Sequence, residues 1–260
     1  MCGTCGCGQD HEQIDRHGHD HDHAHGHAHE TEERRIAVEL DLLANNRRHA
    51  EANRAWFRER GILALNFMAS PGAGKTELLA ATIRMLSGRF PVCVIEGDQQ
   101  TGLDAARIRE AGARAHQINT GKLCHLDAHM VGHAVEALQP EPGSLLLIEN
   151  VGNLVCPAAF DLGEQHRVVM LSVTEGEDKP LKYPDMFATA SSLVVNKCDL
   201  LPYVNFDVAH CLDHVHRVHP ELMPVHRTSA TTGEGLAEWC EWIAAAAESL
   251  RGPLLEEGRA

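Results

Sequence analysis

One stretch in the first third of the chain has the composition of a phosphate-binding loop: Ala69-Ser70-Pro71-Gly72-Ala73-Gly74-Lys75-Thr76. Its glycines would let backbone N–H groups turn toward phosphate oxygens, and the start of the helix that follows adds a positive dipole. Lys75 would bridge the β- and γ-phosphates, and the Thr76 hydroxyl would ligate Mg²⁺. Ala69 replaces the usual first Gly, and a Gly-rich turn without a ligand is the alternative interpretation. Because a predicted strand, the loop and a predicted helix follow one another in the order typical of phosphate loops, we predict a nucleotide-binding site here. It includes Gly72, Ala73, Gly74, Lys75 and Thr76.

A second motif, Asn196-Lys197-Cys198-Asp199, distinguishes guanine from adenine. The Asp199 carboxylate can accept hydrogen bonds from N1–H and the 2-amino group of guanine, which adenine does not offer. Asn196 would brace the loop, and the stem of Lys197 would lie along the base. Four residues are a weak match alone, and a solvated turn is their usual explanation. The motif follows an apolar strand, however, and Ser229-Ala230 follows the next strand, so we predict a guanine-nucleotide site formed by both segments.

Acidic residues end two other predicted strands. Asp98 ends the second strand, and Glu149 stands where GTPases usually have the Asp of D-x-x-G. Ligands of doubly wound sheets bind at the carboxyl ends of the strands, so we predict that these acids belong to the Mg²⁺ shell and the catalytic group, although exposed loop acids are often only solvated. Gly152 is followed by Asn153 and not by a water-orienting Gln, which predicts slow hydrolysis.

The first thirty residues concentrate metal-binding side chains. Cys2, Cys5 and Cys7 can surround one soft or borderline cation, and by thiolate softness alone zinc is the first choice. Imidazoles at two-residue spacing follow, suited to weak binding of Ni²⁺, Zn²⁺ or Cu²⁺ at several sites. The series is His17, His19, His21, His23, His25, His27 and His29. An expression tag and a solubilising tail are the alternatives, but the interleaved Asp, Gly and Ala favour metal binding.

Cys124, His125 and Cys156 form a second candidate metal site. Adjacent Cys and His residues are more often structural than ligating, because free Cys is commonly buried as a small apolar residue. Cys156 nevertheless follows the Glu149–Gly152 segment, which would sense the γ-phosphate. A metal held there would be coupled to the nucleotide state by linkage.

Composition restricts the class of protein. The chain has 260 residues and a formal net charge of −14, of which the first thirty contribute −5. This acidity argues against nucleic acid as a partner, since that requires a basic surface. There is no apolar run long enough to span a bilayer and no signal-peptide pattern at the start, so we expect no membrane association and a cytoplasmic protein with reduced cysteines.

The order of predicted elements indicates a doubly wound, mostly parallel α/β sheet. Residues 1–30 are predicted to be a disordered metal-binding tail, 31–60 a helix and 61–260 a P-loop GTPase domain. Six strands are predicted at 62–68, 92–95, 145–148, 168–173, 193–195 and 223–226. Helices are predicted at 77–86, 105–111, 126–138, 207–216 and 236–250.

Taken together, the motifs resemble the HypB family of hydrogenase nickel-incorporation GTPases. The resemblance rests on the N-terminal C-x-x-C-G-C, the His-rich tail and the segments SPGAGKT, EGDQ, CHLDA, ENVGNLVCP, TEGEDKPLKYP, NKCD and TGEG. It implies a GTPase of the signal-recognition/MinD-like (SIMIBI) class that binds GTP or GDP with Mg²⁺. It implies tight nickel binding by Cys2, Cys5 and Cys7.

The resemblance also implies a nickel or zinc site at Cys124, His125 and Cys156 that is shared across a GTP-dependent homodimer. The implied partners are a HypA-like zinc-containing nickel chaperone and the large-subunit precursor of [NiFe]-hydrogenase. A storage role for the His-rich tail is implied as well. Lys179, Lys182 and Tyr183 match a family motif at the nucleotide edge, where a phosphate or dimer contact is expected.

Two other functions remain open. The chain could be chiefly a metal-storage protein in which the GTPase domain is incidental. It could also be the related urease nickel GTPase, but that family has a Cys-Pro-His motif where this chain has Cys156-Pro157-Ala158, and it lacks the N-terminal cysteines.

Overall fold

The structure, a computed structural model, describes residues 24–98, 103–121 and 123–257. Cys2, Cys5, Cys7, His17, His19, His21 and His23 lie outside the described residues. The side chains of His25, His27, His29 and Asp98 are also outside the description. The chain divides into two units, Met1–Asp41 and Leu42–Ala260. In the first unit, the described part is the beginning of a helix; the second unit contains the sheet.

A seven-stranded, entirely parallel sheet forms the centre of the second unit, in the order β3-β2-β4-β1-β5-β6-β7. The strands are β1 (Leu63–Ala69), β2 (Val92–Asp98), β3 (Arg114–Asn119), β4 (Leu145–Glu149), β5 (His166–Ser172), β6 (Ser192–Asn196) and β7 (Val225–Arg227). The first strand is central, and later strands are added on both of its sides. This order confirms the predicted doubly wound α/β fold.

Nine α-helices and one 3₁₀ helix are present among the described residues. They are α1 (Ala24–Glu59), α2 (Lys75–Leu86), α3 (Leu103–Glu110), α4 (Ala128–Leu138), α5 (Cys156–Ala159), α6 (Lys179–Lys182), α7 (Pro184–Ala188), α8 (Val208–Val218) and α9 (Leu236–Glu257), with the 3₁₀ helix at Cys198–Tyr203. None of the helices in the described ranges is both long enough and apolar enough to cross a bilayer.

Both faces of the sheet are covered, so its central strands are apolar on both sides. Leu65 and Phe67 of β1 pack with α2 and with Trp239 of α9, whereas Ala64 faces a cluster that contains Phe57 of α1 and residues of α4. All seven residues of β1 are buried. The strand that leads into the phosphate loop is therefore fixed from both faces.

Two elements differ from the prediction. Helix α1 begins at Ala24, seven residues before the start at residue 31 that the sequence predicts. Extending an existing helix needs no new nucleation, and alanines at 24 and 28 favour it. Strand β3 was not predicted, because its sequence is polar and its residues are half-buried or exposed at the edge of the sheet.

Candidate functional site

The loop between β1 and α2 has the backbone of a phosphate cradle. Gly72 and Gly74 have φ angles of +78° and +90°, a region that residues with a side chain rarely adopt. A Cβ at Gly74 would also lie 2.8 Å from Asn196 Nδ2. Helix α2 begins at Lys75, so its first N–H groups, which have no intrahelical acceptor, lie beside the loop.

The predicted base-binding segment, which contains Asn196 and Lys197, is hydrogen-bonded to this loop. Asn196 Nδ2 donates to the Ala73 carbonyl at 3.0 Å, and Lys197 Nζ donates to the Gly72 carbonyl at 2.7 Å. On its other side, Asn196 Oδ1 accepts a hydrogen bond of 3.1 Å from the Thr228 hydroxyl. The buried Asn196 therefore joins the loop to Thr228, at the end of β7.

Asp199, Ser229 and Ala230 follow the ends of the neighbouring strands β6 and β7. The backbone N–H of Cys198 donates to the Thr228 carbonyl at 3.0 Å, which holds the two segments side by side. Ser229 is buried and Asp199 is partly exposed. A partly exposed carboxylate at this position has the access that recognition of a base edge requires.

A cavity of about 470 Å³ opens beside the phosphate loop, at the ends of β2 and β4. Lys75, Thr76, Glu96 and Glu149 contribute to its lining. The two glutamates are register partners and are only 1 % and 6 % exposed, and Thr76 Oγ1 donates to Glu149 Oε1 at 2.8 Å. These oxygens are the ligands that Mg²⁺ prefers. The backbone of Asp98 ends the same strand as Glu96.

Lys75 is buried in the lining of the same cavity as Glu96 and Glu149. Burial lowers the pKa of Lys75, and the nearby Glu149 opposes that shift by stabilising the ammonium form. An anionic ligand in the cavity would stabilise the ammonium in the same way, which is the role expected of a phosphate-binding lysine.

The segment after β5 reaches back to the phosphate loop. Lys179 Nζ donates to Ser70 Oγ at 3.2 Å, lies 3.3 Å from the Glu175 carboxylate and is 5.3 Å from the centre of the Tyr183 ring. Lys182 pairs instead with Asp178 at 2.7 Å, on the surface. Lys179 is therefore the member of this motif that contacts the phosphate loop.

Cys124, His125 and Cys156 come together. Their donor atoms all lie within 4.8 Å of one another, and no other group of three such side chains in the described part of the chain has this spacing. The Cys124 and Cys156 sulfurs are 2.8 Å apart, and Cys124 Sγ is 3.8 Å from His125 Nδ1. The His125 ring stacks on Phe160 at 3.8 Å. Two thiols and an imidazole suit Zn²⁺ or Ni²⁺.

The protonation of this cluster follows from its packing. The hydrogen bond with Cys156, together with burial, raises the pKa of Cys124. Burial lowers the pKa of His125 and therefore keeps its imidazole neutral. A metal that binds here must displace the thiol proton, whereas the imidazole is already in its ligating form.

The cluster and the phosphate cavity share one short segment. Asn150 directly follows Glu149, and its Oδ1 accepts hydrogen bonds from the N–H groups of Leu126 and Val151 at 3.2 and 2.9 Å. Asn153 Nδ2 donates to the Cys124 carbonyl at 3.3 Å. Residues 149–153 therefore contact both the phosphate cavity and the loop that carries Cys124 and His125.

Comparison with known proteins identifies the family. The family model described as CobW/HypB/UreG, nucleotide-binding domain, matches residues 64–226. The hydrogenase maturation factor HypB of Rhizobium leguminosarum bv. viciae is 62 % identical over 213 residues, which cover 82 % of this chain and 71 % of that protein. The chain belongs to the HypB family. The HypB factor of Escherichia coli K12 is 54 % identical over 232 residues, which cover 89 % of this chain and 80 % of that one.

Solved structures of family members have the same fold. HypB from Helicobacter pylori in complex with nickel has a TM-score of 0.73 and 37 % identity, and the match covers 79 % of this chain and 96 % of that one. HypB from Archaeoglobus fulgidus has a TM-score of 0.73 and 41 % identity, covering 78 % and 99 %. The resemblance seen in the sequence motifs is thereby confirmed, and so is membership of a nucleotide-binding GTPase family.

Some lining residues were not singled out from the sequence. The sequence motifs assign Mg²⁺ to Asp98 and give Glu96 no separate role, although alternation along a strand would put residues 96 and 98 on one face. Asp104 and Arg107 of α3 also line the phosphate cavity, and Arg107 Nη1 is 3.9 Å from Glu77 Oε2. No motif marks these two residues, because their position depends on how α3 packs against α2.

Proposed function

We propose that this protein binds GTP with Mg²⁺, hydrolyses it slowly, and uses the nucleotide state to control delivery of Ni²⁺ during [NiFe]-hydrogenase maturation. The observation that carries this proposal is the segment 149–153. It lines the phosphate cavity and also holds the loop of a thiol–imidazole cluster. The same five-residue segment therefore adjoins both the nucleotide site and the metal site. A nucleotide-controlled metal carrier needs such a shared segment.

The proposal gives each residue of the nucleotide site a role. Gly72, Ala73 and Gly74 present backbone groups to the phosphates, with Lys75 as the buried cation. The base is recognised by Asp199, with Asn196 and Lys197 bracing and Ser229 and Ala230 alongside. Thr76, Glu149 and the strand end at Asp98 supply oxygens for Mg²⁺, which would neutralise phosphate charge there. Asn153 follows Gly152 where a water-orienting Gln would stand, which supports a slow reaction.

Nickel is the cargo in this proposal. Cys124, His125 and Cys156 hold Ni²⁺ or Zn²⁺, Cys2, Cys5 and Cys7 hold one Ni²⁺ tightly, and the histidines from His17 to His29 hold further nickel weakly. A family member from Helicobacter pylori has been crystallised in complex with nickel, and relatives are named hydrogenase maturation factors. We further propose a GTP-dependent homodimer, a HypA-like nickel chaperone and the hydrogenase large-subunit precursor as partners, in the cytoplasm.

The base assignment is tested by Asp199→Asn. An amide at this position can no longer accept both guanine donors but can donate to the 2-oxo group of xanthine. GTP affinity should fall by about 100-fold, because the two hydrogen bonds that guanine donates to an ionised carboxylate are lost, and XTP should replace GTP as the preferred nucleotide. Titration of the purified protein with both nucleotides checks this. Unchanged GTP affinity would show that the base binds elsewhere.

Metal storage is a second candidate, favoured by the eight histidines and three cysteines of residues 1–30. Deletion of residues 8–30 should abolish the weak multi-ion binding of the His-rich tail and leave the tight site at Cys2, Cys5 and Cys7. A Lys75→Ala variant should stop hydrogenase maturation in cells, since it lacks the phosphate-binding cation, whereas the deletion should impair it only when nickel is scarce. Equal loss of hydrogenase maturation in both variants, with ample nickel supplied, would favour storage as the main role.

If a strain that lacks this protein lost urease activity and kept hydrogenase activity, the protein would belong instead to the urease system.

A further inference from the structure

Glu177 connects helix α8 to the segment that carries Lys179, residues 175–183. Its Oε1 accepts a hydrogen bond of 2.8 Å from His210 Nδ1, and its Oε2 accepts one of 2.8 Å from the Asp207 N–H. Its backbone carbonyl accepts a third bond, of 3.0 Å, from His214 Nδ1. A carbonyl and an ionised carboxylate can only accept, so both histidines donate from Nδ1. All three oxygens of Glu177 are therefore bonded to α8 or to its N-cap.

Two residues beyond Glu177, the Lys179 ammonium contacts the phosphate loop. Its Nζ donates to Ser70 Oγ at 3.2 Å and lies 3.3 Å from the Glu175 carboxylate. Lys179 is the first residue of α6, which has a single turn. A helix of this length is not stable by itself, so the place of Lys179 depends on the element that α6 packs against. Helix α6 packs mainly against α8, and the hydrogen bonds of Glu177 join the two.

The His210–Glu177 pair can change its charge with pH. The His210 side chain is 51 % exposed, so its ring can exchange a proton with solvent. The hydrogen bonds from the Asp207 N–H and from His210 lower the pKa of Glu177, so its carboxylate stays ionised above about pH 5. Imidazoles gain and lose their charge between about pH 5 and 8. As the pH falls through this range, the hydrogen bond between the two side chains becomes an ion pair.

Helix α8 and the two short helices packed against it carry the other charged groups around this pair. These groups are Asp207, Asp213, His214 and Arg217 at α8, Asp178 and Lys182 at α6, and Asp185 at α7. Four of them are acids and two are cations, so the surroundings favour the charged form of His210. His214 is only 6 % exposed, and its ring centre is 4.3 Å from that of His210. The exposed ring of His210 is therefore the one that protons from solvent reach.

We propose that His210 is a positioning residue of the nucleotide site, which through Glu177 holds Lys179 against the phosphate loop and does so more strongly in its charged form. This role rests on the proposed function, because it acts on the binding of a guanine nucleotide. The phosphates of a nucleotide in the loop attract the Lys179 ammonium toward the same position. Protons and nucleotide should therefore each strengthen the binding of the other, so that guanine-nucleotide affinity rises as the pH falls from about 8 to about 6.

Nucleotide affinity at pH 6, 7 and 8 tests this role in the full chain. The probe is GDP that carries a fluorescent group on the ribose, with Mg²⁺ and at constant ionic strength. A terminal phosphate itself titrates at about pH 6, so the readout is the ratio of the Kd of each variant to that of the parent protein at the same pH. His210→Lys keeps a charge throughout this range, and His210→Gln keeps a hydrogen bond without a charge. His216→Gln is the matched control, at another exposed histidine of α8.

His210→Gln should bind GDP about threefold more weakly than the parent at pH 6 and equally well at pH 8, since an exposed ion pair has an effect of about this size. His210→Lys should match the parent at pH 6 and bind GDP about threefold more tightly at pH 8. His216→Gln should match the parent throughout. In a Lys179→Met background, both substitutions at residue 210 should lose their effect on the Kd ratio.

Three results would contradict these expectations. Ratios that do not change with pH for His210→Lys and His210→Gln would refute the charge-dependent role of His210. Effects that persist in the Lys179→Met background would refute the route through Lys179. Both results would leave the proposed function standing, whereas absence of GDP binding by the parent at every pH would refute the proposed function and, with it, the role of His210.

Discussion

At the scale of single residues, the phosphate loop depends on two glycines that make room for neighbouring groups. Gly74 leaves space for the Asn196 amide that donates to Ala73. Gly152 lies against Pro71 on the opposite side of the loop, where an added Cβ would be 3.2 Å from three of the proline atoms. The loop is thus confined by the base-binding segment on one side and by the metal-linked segment on the other.

Replacing Gly152 by alanine should weaken nucleotide binding. The added methyl must push Pro71 away, and overpacking of this kind costs about 1–3 kcal/mol, so we expect GTP and GDP affinity to fall by about tenfold. Titration with a fluorescent guanine nucleotide measures this. Gly88→Ala is the matched control, because a Cβ at Gly88 has no neighbour within 4 Å. Equal affinities for the two variants would contradict a role for Gly152 in confining the loop.

At this scale, candidate residues can be selected from the sequence where a motif is continuous. The phosphate loop and the NKCD segment each follow an apolar strand, and local spacing is enough to position them. Cys124 and Cys156 are 32 residues apart, and their meeting could be inferred only from their positions near strand ends. Arg107 could not be predicted as a lining residue of the phosphate cavity, because its position depends on the packing of α3 against α2.

At the scale of elements, the ends of β2 and β4 bring the two candidate sites together. Glu96 and Glu149 are paired across these strands, and Asn150, one residue beyond β4, holds Leu126 and Val151. Edge strand β3 pairs with β2 but was not predicted from the sequence. It contributes backbone hydrogen bonds to β2 and has no apolar pattern, so nothing in its side chains distinguishes it from a loop.

Asn150→Ala should separate metal binding from nucleotide state. The variant leaves the Leu126 and Val151 N–H groups without their acceptor, which should cost about 1–3 kcal/mol in unfolding free energy. If segment 149–153 couples the metal site to the nucleotide site, the parent protein should bind Ni²⁺ at the thiol cluster with different affinities in the presence of GDP and of a GTP analogue. The variant should show a smaller ratio of these two affinities.

Nickel titrations in both nucleotide states, with thermal unfolding in parallel, measure these effects. Asn45→Ala is the control, because Asn45 is exposed and accepts a single surface hydrogen bond from Arg48. Because the control keeps the acceptor of Leu126 and Val151, it should retain the parent ratio. A variant at Asn150 that also retained the parent ratio would place the coupling elsewhere.

At the scale of the whole molecule, the described cysteines separate into two chemical classes. Cys93, Cys198, Cys211 and Cys240 are packed in the interior, at exposures of 5 % or less. Burial raises the pKa of Cys211 to about 12 and that of Cys240 to about 11. Cys124 and Cys156 are half-buried at the surface.

The thiols should therefore react in a fixed order. At pH 8 the thiolate fraction of Cys211 and Cys240 is about one in a thousand or less, and their sulfurs are also inaccessible, so a maleimide should modify them only after unfolding. In the folded, metal-free protein, Cys124 and Cys156 should react first among the described cysteines. Because metal binding replaces the thiol proton by a metal bond, Ni²⁺ or Zn²⁺ should block this reaction, and removal of the ion with a chelator at the same pH should restore it. Peptide mass spectrometry distinguishes each cysteine from those at 2, 5 and 7. Labelling of Cys211 in the folded protein as fast as that of Cys156 would contradict this order, because it would require the interior around α8 to open as readily as the surface.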